Sequence, residues 1–197
     1  MTIYTIGDSH SEYGWSNDII KHHLGPVLCY SFGKEKLKRC DIRNFNIKHG
    51  DTVIFCFGEI DCRAHVKKHI TDTLTFQEII NMIVISYIEA IDLNIITSQL
   101  NLKNICIFNI PPTCSWVDSI DHHEFPWIGT KEDRKSYALY FNQILKEKCL
   151  EKGYIFFDIY DRCCDENGYL RMDISCEYGV HITDANYLNK FIKDNNL

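Results

Sequence analysis

Thr2-Ile3-Tyr4-Thr5-Ile6-Gly7-Asp8-Ser9-His10-Ser11 is a short apolar run that ends in a glycine, followed by an Asp-Ser pair and polar residues able to open a helix. The pattern places a serine on a tight turn at the end of a buried strand. A hydroxyl held there stands on a rigid support, beside backbone N–H groups that can bind an anion. Those are the needs of an acyl-transfer nucleophile. The same letters also describe an ordinary turn followed by a helix cap, so the downstream sequence carries the argument.

Strand candidates are Thr2–Ile6, Val27–Ser31, Thr52–Phe57, Asn104–Ile110 and Tyr154–Asp158. Most are nearly continuous apolar runs rather than alternating ones, the mark of strands covered on both faces in a parallel sheet. Helical stretches lie between them. One runs from Thr75 to about Leu100, with Thr75 and Glu78 spaced as a capping box. A second runs from Lys131 to about Lys152, with Tyr137, Leu139, Phe141, Ile144 and Leu145 as its apolar face and Gly153 placed to end it. A third, Thr183 to Ile192, has Thr183 or Asp184 as its cap. This alternation predicts an α/β fold, a three-layer sandwich around a mostly parallel five-stranded sheet, in one domain over residues 1–197.

The 197 residues are 45% hydrophobic and 24% charged, which suits a globular core. A net charge of −6 and a pI near 5.8 argue against nucleic acid as the partner, because phosphate binding requires a basic face. The clusters Lys34, Lys36, Lys38, Arg39 and Lys67, Lys68 read as solvated faces. The apolar stretch from Ile79 to Ile96 is interrupted by Asn81, Glu89, Asp92 and Asn94, so no membrane insertion is expected. The ten cysteines form no C-x-x-C pair, and Cys29, Cys56 and Cys106 fall in apolar runs where cysteine acts as a small hydrophobe. No metal or cofactor is implied. His22-His23 and His122-His123 read as surface pairs. With no basic, apolar leader pattern at the N-terminus, reduced thiols and a cytoplasmic location are the expectation.

In doubly wound sheets, sites form outside the carboxyl ends of the strands. There the chain places Gly7-Asp8-Ser9-His10, Gly58-Glu59-Ile60-Asp61-Cys62-Arg63-Ala64-His65, Pro111-Pro112-Thr113-Cys114-Ser115-Trp116 and Gly179-Val180-His181-Ile182-Thr183. Unusual polar residues thus converge on one edge of one sheet.

These blocks, in this order, resemble the SGNH, or GDSL-type, esterases and acyl-hydrolases, over nearly the whole chain from Ile3 to about Leu188. The resemblance implies a flavodoxin-like strand order, Ser9 as nucleophile and His181 as general base. It implies Gly33 as the oxyanion-hole glycine, with Gly25 the other option, and Ser9 N–H as a second donor. Gly58 and Asp61 match the first and last residues of the third block. Two positions depart from the pattern. Ile60 stands where the family has an oxyanion-binding asparagine, and Arg63 or His65 is the candidate replacement. Tyr178 stands where the family has the triad aspartate, three residues before the histidine. Glu177 is the candidate acid, with Asp173 behind it; a Ser–His dyad assisted only by backbone carbonyls is the other arrangement. The third block looks like a variant found with glycan and capsule biosynthesis genes.

Asp8, His10, Glu59, Asp61, Arg63 and His65 have a plainer reading beside the substrate-binding one, as residues that support the loops; Asp61 and Arg63 fit a paired turn. Trp127, near Pro126 and Gly129, reads as part of a lid or an ordered surface loop. The expected chemistry is cleavage of an O-acyl ester on a carbohydrate, with a small-molecule or glycan ester as substrate. His181 would take the Ser9 proton, a step worth roughly 10²–10⁴-fold. Activity is then expected to rise through a histidine-like pKa and level off above neutrality. Acyl transfer to a glycan hydroxyl uses the same residues. A sugar-binding module with a decayed site is the non-catalytic alternative.

Overall fold

The computed structural model describes residues 1–116, 126–177 and 179–197. Five strands form one all-parallel sheet: β1 (Ile3–Gly7), β2 (Ile20–His23), β3 (Thr52–Cys56), β4 (Asn104–Phe108) and β5 (Ile155–Phe157), in the order β2-β1-β3-β4-β5. The order is flavodoxin-like, with β1 at the centre of the switch between β2 and β3.

Alternation along the strands divides the core. Val53 and Phe55 of β3 face one apolar cluster, and Ile54 and Cys56 face the other. The first cluster is covered by α1 (Cys29–Glu35), α3 (Phe76–Ser98) and α4 (Lys131–Lys152). The second is covered by α5 (Tyr160–Cys163) and α6 (Ala185–Asp194), with Trp15 and Phe191 packed toward Phe157. A short α2 (Val66–His69) follows a π-helical turn, Asp61–His65. Such turns are frequent at functional sites.

The long helices match their sequence signals. Thr75 and Glu78 form the capping box of α3. Thr130 and Asp133 form one for α4, and Gly153 ends it at φ +72°. Asp184 caps α6. By length and composition α3 could cross a membrane, but half of its apolar window is buried in the protein. Eight of the ten cysteines are buried, and none is in a disulfide.

One strand differs from expectation. Val27–Ser31 is not a strand; the chain there enters α1. The edge strand is Ile20–His23, partly exposed along its length. An edge strand pairs on one side only and meets solvent, so the Ile-Lys-His-His sequence lacks the apolar run that marks a central strand. The start of α1 is set by a distant residue. Asp61 accepts hydrogen bonds from Cys29 N at 2.6 Å and Tyr30 N at 3.1 Å, satisfying two N–H groups that the helix itself leaves unpaired.

Candidate active site

The turn after β1 is held from several directions. Gly7 pairs with Cys56 of β3 and with His23 of β2. Asp8 N donates to Cys56 O at 3.0 Å. Asp8 Oδ1 accepts from His10 N at 2.9 Å, closing a tight turn over Ser9–Ser11. Ser11 Oγ donates to Asp8 O, and Trp15 Nε1 donates to His10 O at 2.8 Å. Ser9 heads the turn, so its N–H has no acceptor within it.

His181 lies on the loop before α6, 172 residues away in sequence, and its Nε2 is 2.7 Å from Ser9 Oγ. The loop is fixed by a bridge between Ser175 and Ile182 and by Gly179, whose φ of +65° and close approach to Cys114 exclude a side chain. Burial pushes the His181 pKa down to about 3. The neighbouring His10, Arg63 and His23 act in the same direction and Glu59 against it. Tyr13 stacks on the imidazole at 4.3 Å between ring centroids.

The acid differs from expectation. Glu177 is exposed, and Asp173 is exposed and paired with Arg171. The atom facing His181 Nδ1 is Cys176 Sγ, at 3.6 Å, and the same sulfur accepts from His181 N at 3.4 Å. A side chain at position 177 of this turn points to solvent, while position 176 points inward. Tyr178 lies outside the described residues, as does the His122-His123 pair.

Gly33 is a second correction. It sits inside α1, where its N–H belongs to the helix, and a Cβ there would meet Ser86 of α3 at 2.8 Å. Its role is close helix packing. Gly25, the other option, lies in the loop between β2 and α1 with φ +84° and open space around its Cα.

The third block supplies structure and charge. Gly58 adopts φ +115°, with Ile110 where a Cβ would be. Ile60 has a hydrocarbon side chain, buried in the core, which carries no hydrogen-bond donor. Glu59 accepts from Arg63 Nε at 2.8 Å, both side chains being largely buried. Burial alone would raise the Glu59 carboxyl, but Arg63 and His10 hold it below the usual carboxylate range. Asp61 caps α1 rather than pairing with Arg63, and burial pushes its carboxyl up to about 7 against the pull of the two N–H bonds. His65 packs between Tyr30 and His69, at 5.2 and 4.3 Å between centroids, and burial lowers its pKa to about 4. A neutral ring engaged there does not supply the positive donor suggested for it.

His10 is buried, with Nδ1 2.9 Å from Asp8 Oδ1 and Nε2 3.0 Å from Val180 O. Burial disfavours its charge, but Asp8 outweighs this and holds the pKa up at about 9. Trp127 is buried against the Arg134 guanidinium, at 4.4 Å from its ring centroid, so it anchors its segment. A narrow cleft between Glu59, Arg63, Pro111, Trp127 and Val180 adjoins this charged region. Among the described residues no group of three or more His, Cys, Asp or Glu side chains is placed to hold a metal ion.

Cys176 and Tyr13 were not legible as site residues. Cys176 carries no local signal, because its place opposite Nδ1 comes from the bridge between Ser175 and Ile182. Tyr13 lies four residues after Ser9, but nothing in the sequence shows that His181 returns over it.

No family model and no curated protein matches the chain. Solved structures do. A Bacteroides thetaiotaomicron GDSL-like lipase superposes with a TM-score of 0.62 at 13% identity, over 98% of this chain and 86% of that one. A Geobacillus stearothermophilus acetylxylan esterase superposes with a TM-score of 0.55 at 10% identity, over 98% and 93%. The OSK domain of Drosophila Oskar does so with a TM-score of 0.57 at 12% identity, over 96% and 86%. With its strand order and the position of its site at the carboxyl edge of the sheet, the chain has the SGNH, or GDSL-type, hydrolase fold.

Proposed function

We propose that the protein is a serine ester hydrolase that cleaves an O-acyl group from a carbohydrate. The observation that carries this reading is the 2.7 Å contact between Ser9 Oγ and His181 Nε2. Nε2 accepts the hydroxyl proton as Oγ attacks the ester carbonyl, and returns it to the leaving sugar oxygen. Ser9 N–H and the Gly25 N–H are the donors proposed for the oxyanion. Water then releases the acyl group. The acetylxylan esterase among the structural neighbours supports a short acyl group on a sugar.

The test is labelling by a fluorophosphonate probe, followed by release of acetate from acetylated xylo-oligosaccharides. Covalent modification at Ser9 and free acetate are expected. An unlabelled protein with no acetate release would reject the reading, and an acylated acceptor without free acetate would make it a transferase.

Two further results are expected from this geometry. For Nε2 to accept, Nδ1 must carry the proton, and the Cys176 sulfur is a weak acceptor for it. A carboxylate in that position holds the tautomer and the imidazolium more strongly. Cys176→Asp is therefore expected to raise kcat at least about tenfold, and Cys176→Ala to lower it, both read from initial rates; identical rates in all three proteins would remove Cys176 from the reaction.

The pH profile should differ from that of an ordinary histidine. With the His181 pKa near 3, the base is already neutral at pH 5, so activity is expected to be flat from pH 5 to 8. Stability should show the matching signs. The His181 pKa is depressed when folded, so stability falls as pH drops from about 6.5 toward 3. His10 is raised when folded, so its contribution is full below about 6.5 and is lost as pH rises toward 9. Thermal melts from pH 3 to 10 should peak between the two ranges; a monotonic rise through pH 9 would contradict the His10 assignment.

A further inference from the structure

His10 joins the nucleophile turn to the base loop by its side chain while standing outside the proton path. Its two ring nitrogens face two acceptors, the Asp8 carboxylate at 2.9 Å and the Val180 carbonyl at 3.0 Å. A neutral imidazole has one N–H and one lone pair. It would satisfy one of these acceptors and set its lone pair against the other, in a site that is 6% exposed. An imidazolium satisfies both. The backbone N–H of His10 donates to the same Asp8 Oδ1 at 2.9 Å, so the carboxylate is held from two sides.

Val180 directly precedes His181. Holding its carbonyl fixes the peptide plane that enters His181, and so the height of the imidazole above Ser9. An aspartate at Nδ1 would ordinarily share this task, and here Cys176 faces Nδ1 instead.

We propose that His10 is a positioning residue protonated at neutral pH, which clamps the Val180 carbonyl to Asp8 and so sets His181 against Ser9 where, among the described residues, Cys176 rather than a carboxylate faces Nδ1. The inference rests on the esterase reading above and deepens it. The charge has a second effect. The His10 and His181 ring centroids are 4.9 Å apart, so a fixed cation beside the base disfavours its protonation before reaction and keeps it ready in acid. Among the described residues, the groups that face the pair are Asp8 from the β1 turn, Tyr13 just after it, Glu59 and Arg63 from the third block, His23 from β2, and Cys176 from the base loop. Asp8 with His10 and Glu59 with Arg63 make two buried ion pairs around one Ser–His pair. Removing one partner of such a pair leaves the other charge uncompensated.

The first test needs no variant. Nitrogen-15 NMR of the histidine rings in the whole native protein at pH 7.5, assigned through the backbone, should show both His10 ring nitrogens protonated. A single protonated nitrogen, as in a neutral ring beside a protonated Asp8, would overturn the proposal whether or not the protein is an esterase. The second test is His10→Gln, which keeps an amide donor for Val180 and removes the charge. The rate of Ser9 labelling by the fluorophosphonate should fall at least about tenfold. Its acid limb should also move from below pH 5 up toward the ordinary histidine value of about 6.5. A folded variant with an unshifted acid limb would refute the charged role, since lost packing alone does not move a titration. If the native protein labels at Ser9 and His10→Gln behaves like it, the clamp fails and the esterase reading stands. If the native protein never labels, the esterase reading fails and the NMR result alone decides the state of His10.

Discussion

Ser9→Ala and His181→Ala are each expected to lower kcat for an acetyl ester by on the order of 10³–10⁴, with little change in substrate binding. The magnitude follows from what the site has and lacks. In a serine protease with a full triad, losing the nucleophile or the base costs ~10⁶ in kcat. Changing the triad carboxylate to its amide costs ~10⁴ there, because the tautomer is wrong. This chain has Cys176 rather than a carboxylate at Nδ1, so it starts lower and has less to lose. The proposed oxyanion donors survive both substitutions and leave a residual rate. Because Ser9 and His181 act as one unit, the double variant should be no slower than either single one. Initial rates on an aryl acetate and calorimetric binding of a deacetylated oligosaccharide would check this. A Ser9→Ala protein within tenfold of the native rate would remove the serine from the reaction.

Gly7→Ala is expected to prevent folding, or to destabilise the protein by more than about 3 kcal/mol, the range reserved for clashes and broken networks in a packed core. A Cβ at residue 7 would lie 1.9 Å from the carbonyl oxygen of Cys56 and 2.6 Å from its carbonyl carbon. Neither atom belongs to a flexible side chain, so β1 and β3 would have to separate at the Gly7–Cys56 pair. The same carbonyl accepts the N–H of Asp8, and the turn that presents Ser9 would move with it. Gly50 is the control. It has φ +85° but open space around its Cα, so Gly50→Ala should cost about 1–2 kcal/mol through the backbone alone. Thermal melts of the two variants would separate steric contact from backbone preference. A Gly7→Ala protein as stable as Gly50→Ala would show that the sheet yields at this point.

The turn that presents Ser9 and the loop that carries His181 were legible because each block carries its own local mark, a strand that ends in Gly-Asp-Ser and a Gly-Val-His-Ile-Thr loop before a capped helix; that the two pair came from the resemblance of the blocks to the SGNH esterases. The same holds for α3, α4 and α6, whose caps at Thr75, Gly153 and Asp184 are written within a few residues of the helix ends. Where the sequence misled, the deciding partner was far away. Val27–Ser31 reads as a strand by its apolar run, yet Asp61, over thirty residues downstream, caps it into α1. Gly33 matched an oxyanion glycine by order along the chain, but the contact that explains it is with Ser86 across a helix interface. Glu177 has the right chemistry and the wrong side of a turn, and Cys176 the reverse.

By itself the amino-acid sequence determined the α/β class and the parallel sheet, because apolar periodicity, caps and turn residues act over a few positions; that Ser9 and His181, which meet at 2.7 Å, belong together came from the resemblance of the blocks to the SGNH esterases. Only the tertiary structure decided the edge strand, the neighbour of Nδ1 and the two acceptors that face the His10 ring. Each of these depends on burial and on charges brought from distant parts of the chain. Burial makes a missing hydrogen bond or an uncompensated charge expensive, and linear spacing does not show which groups will share a buried site.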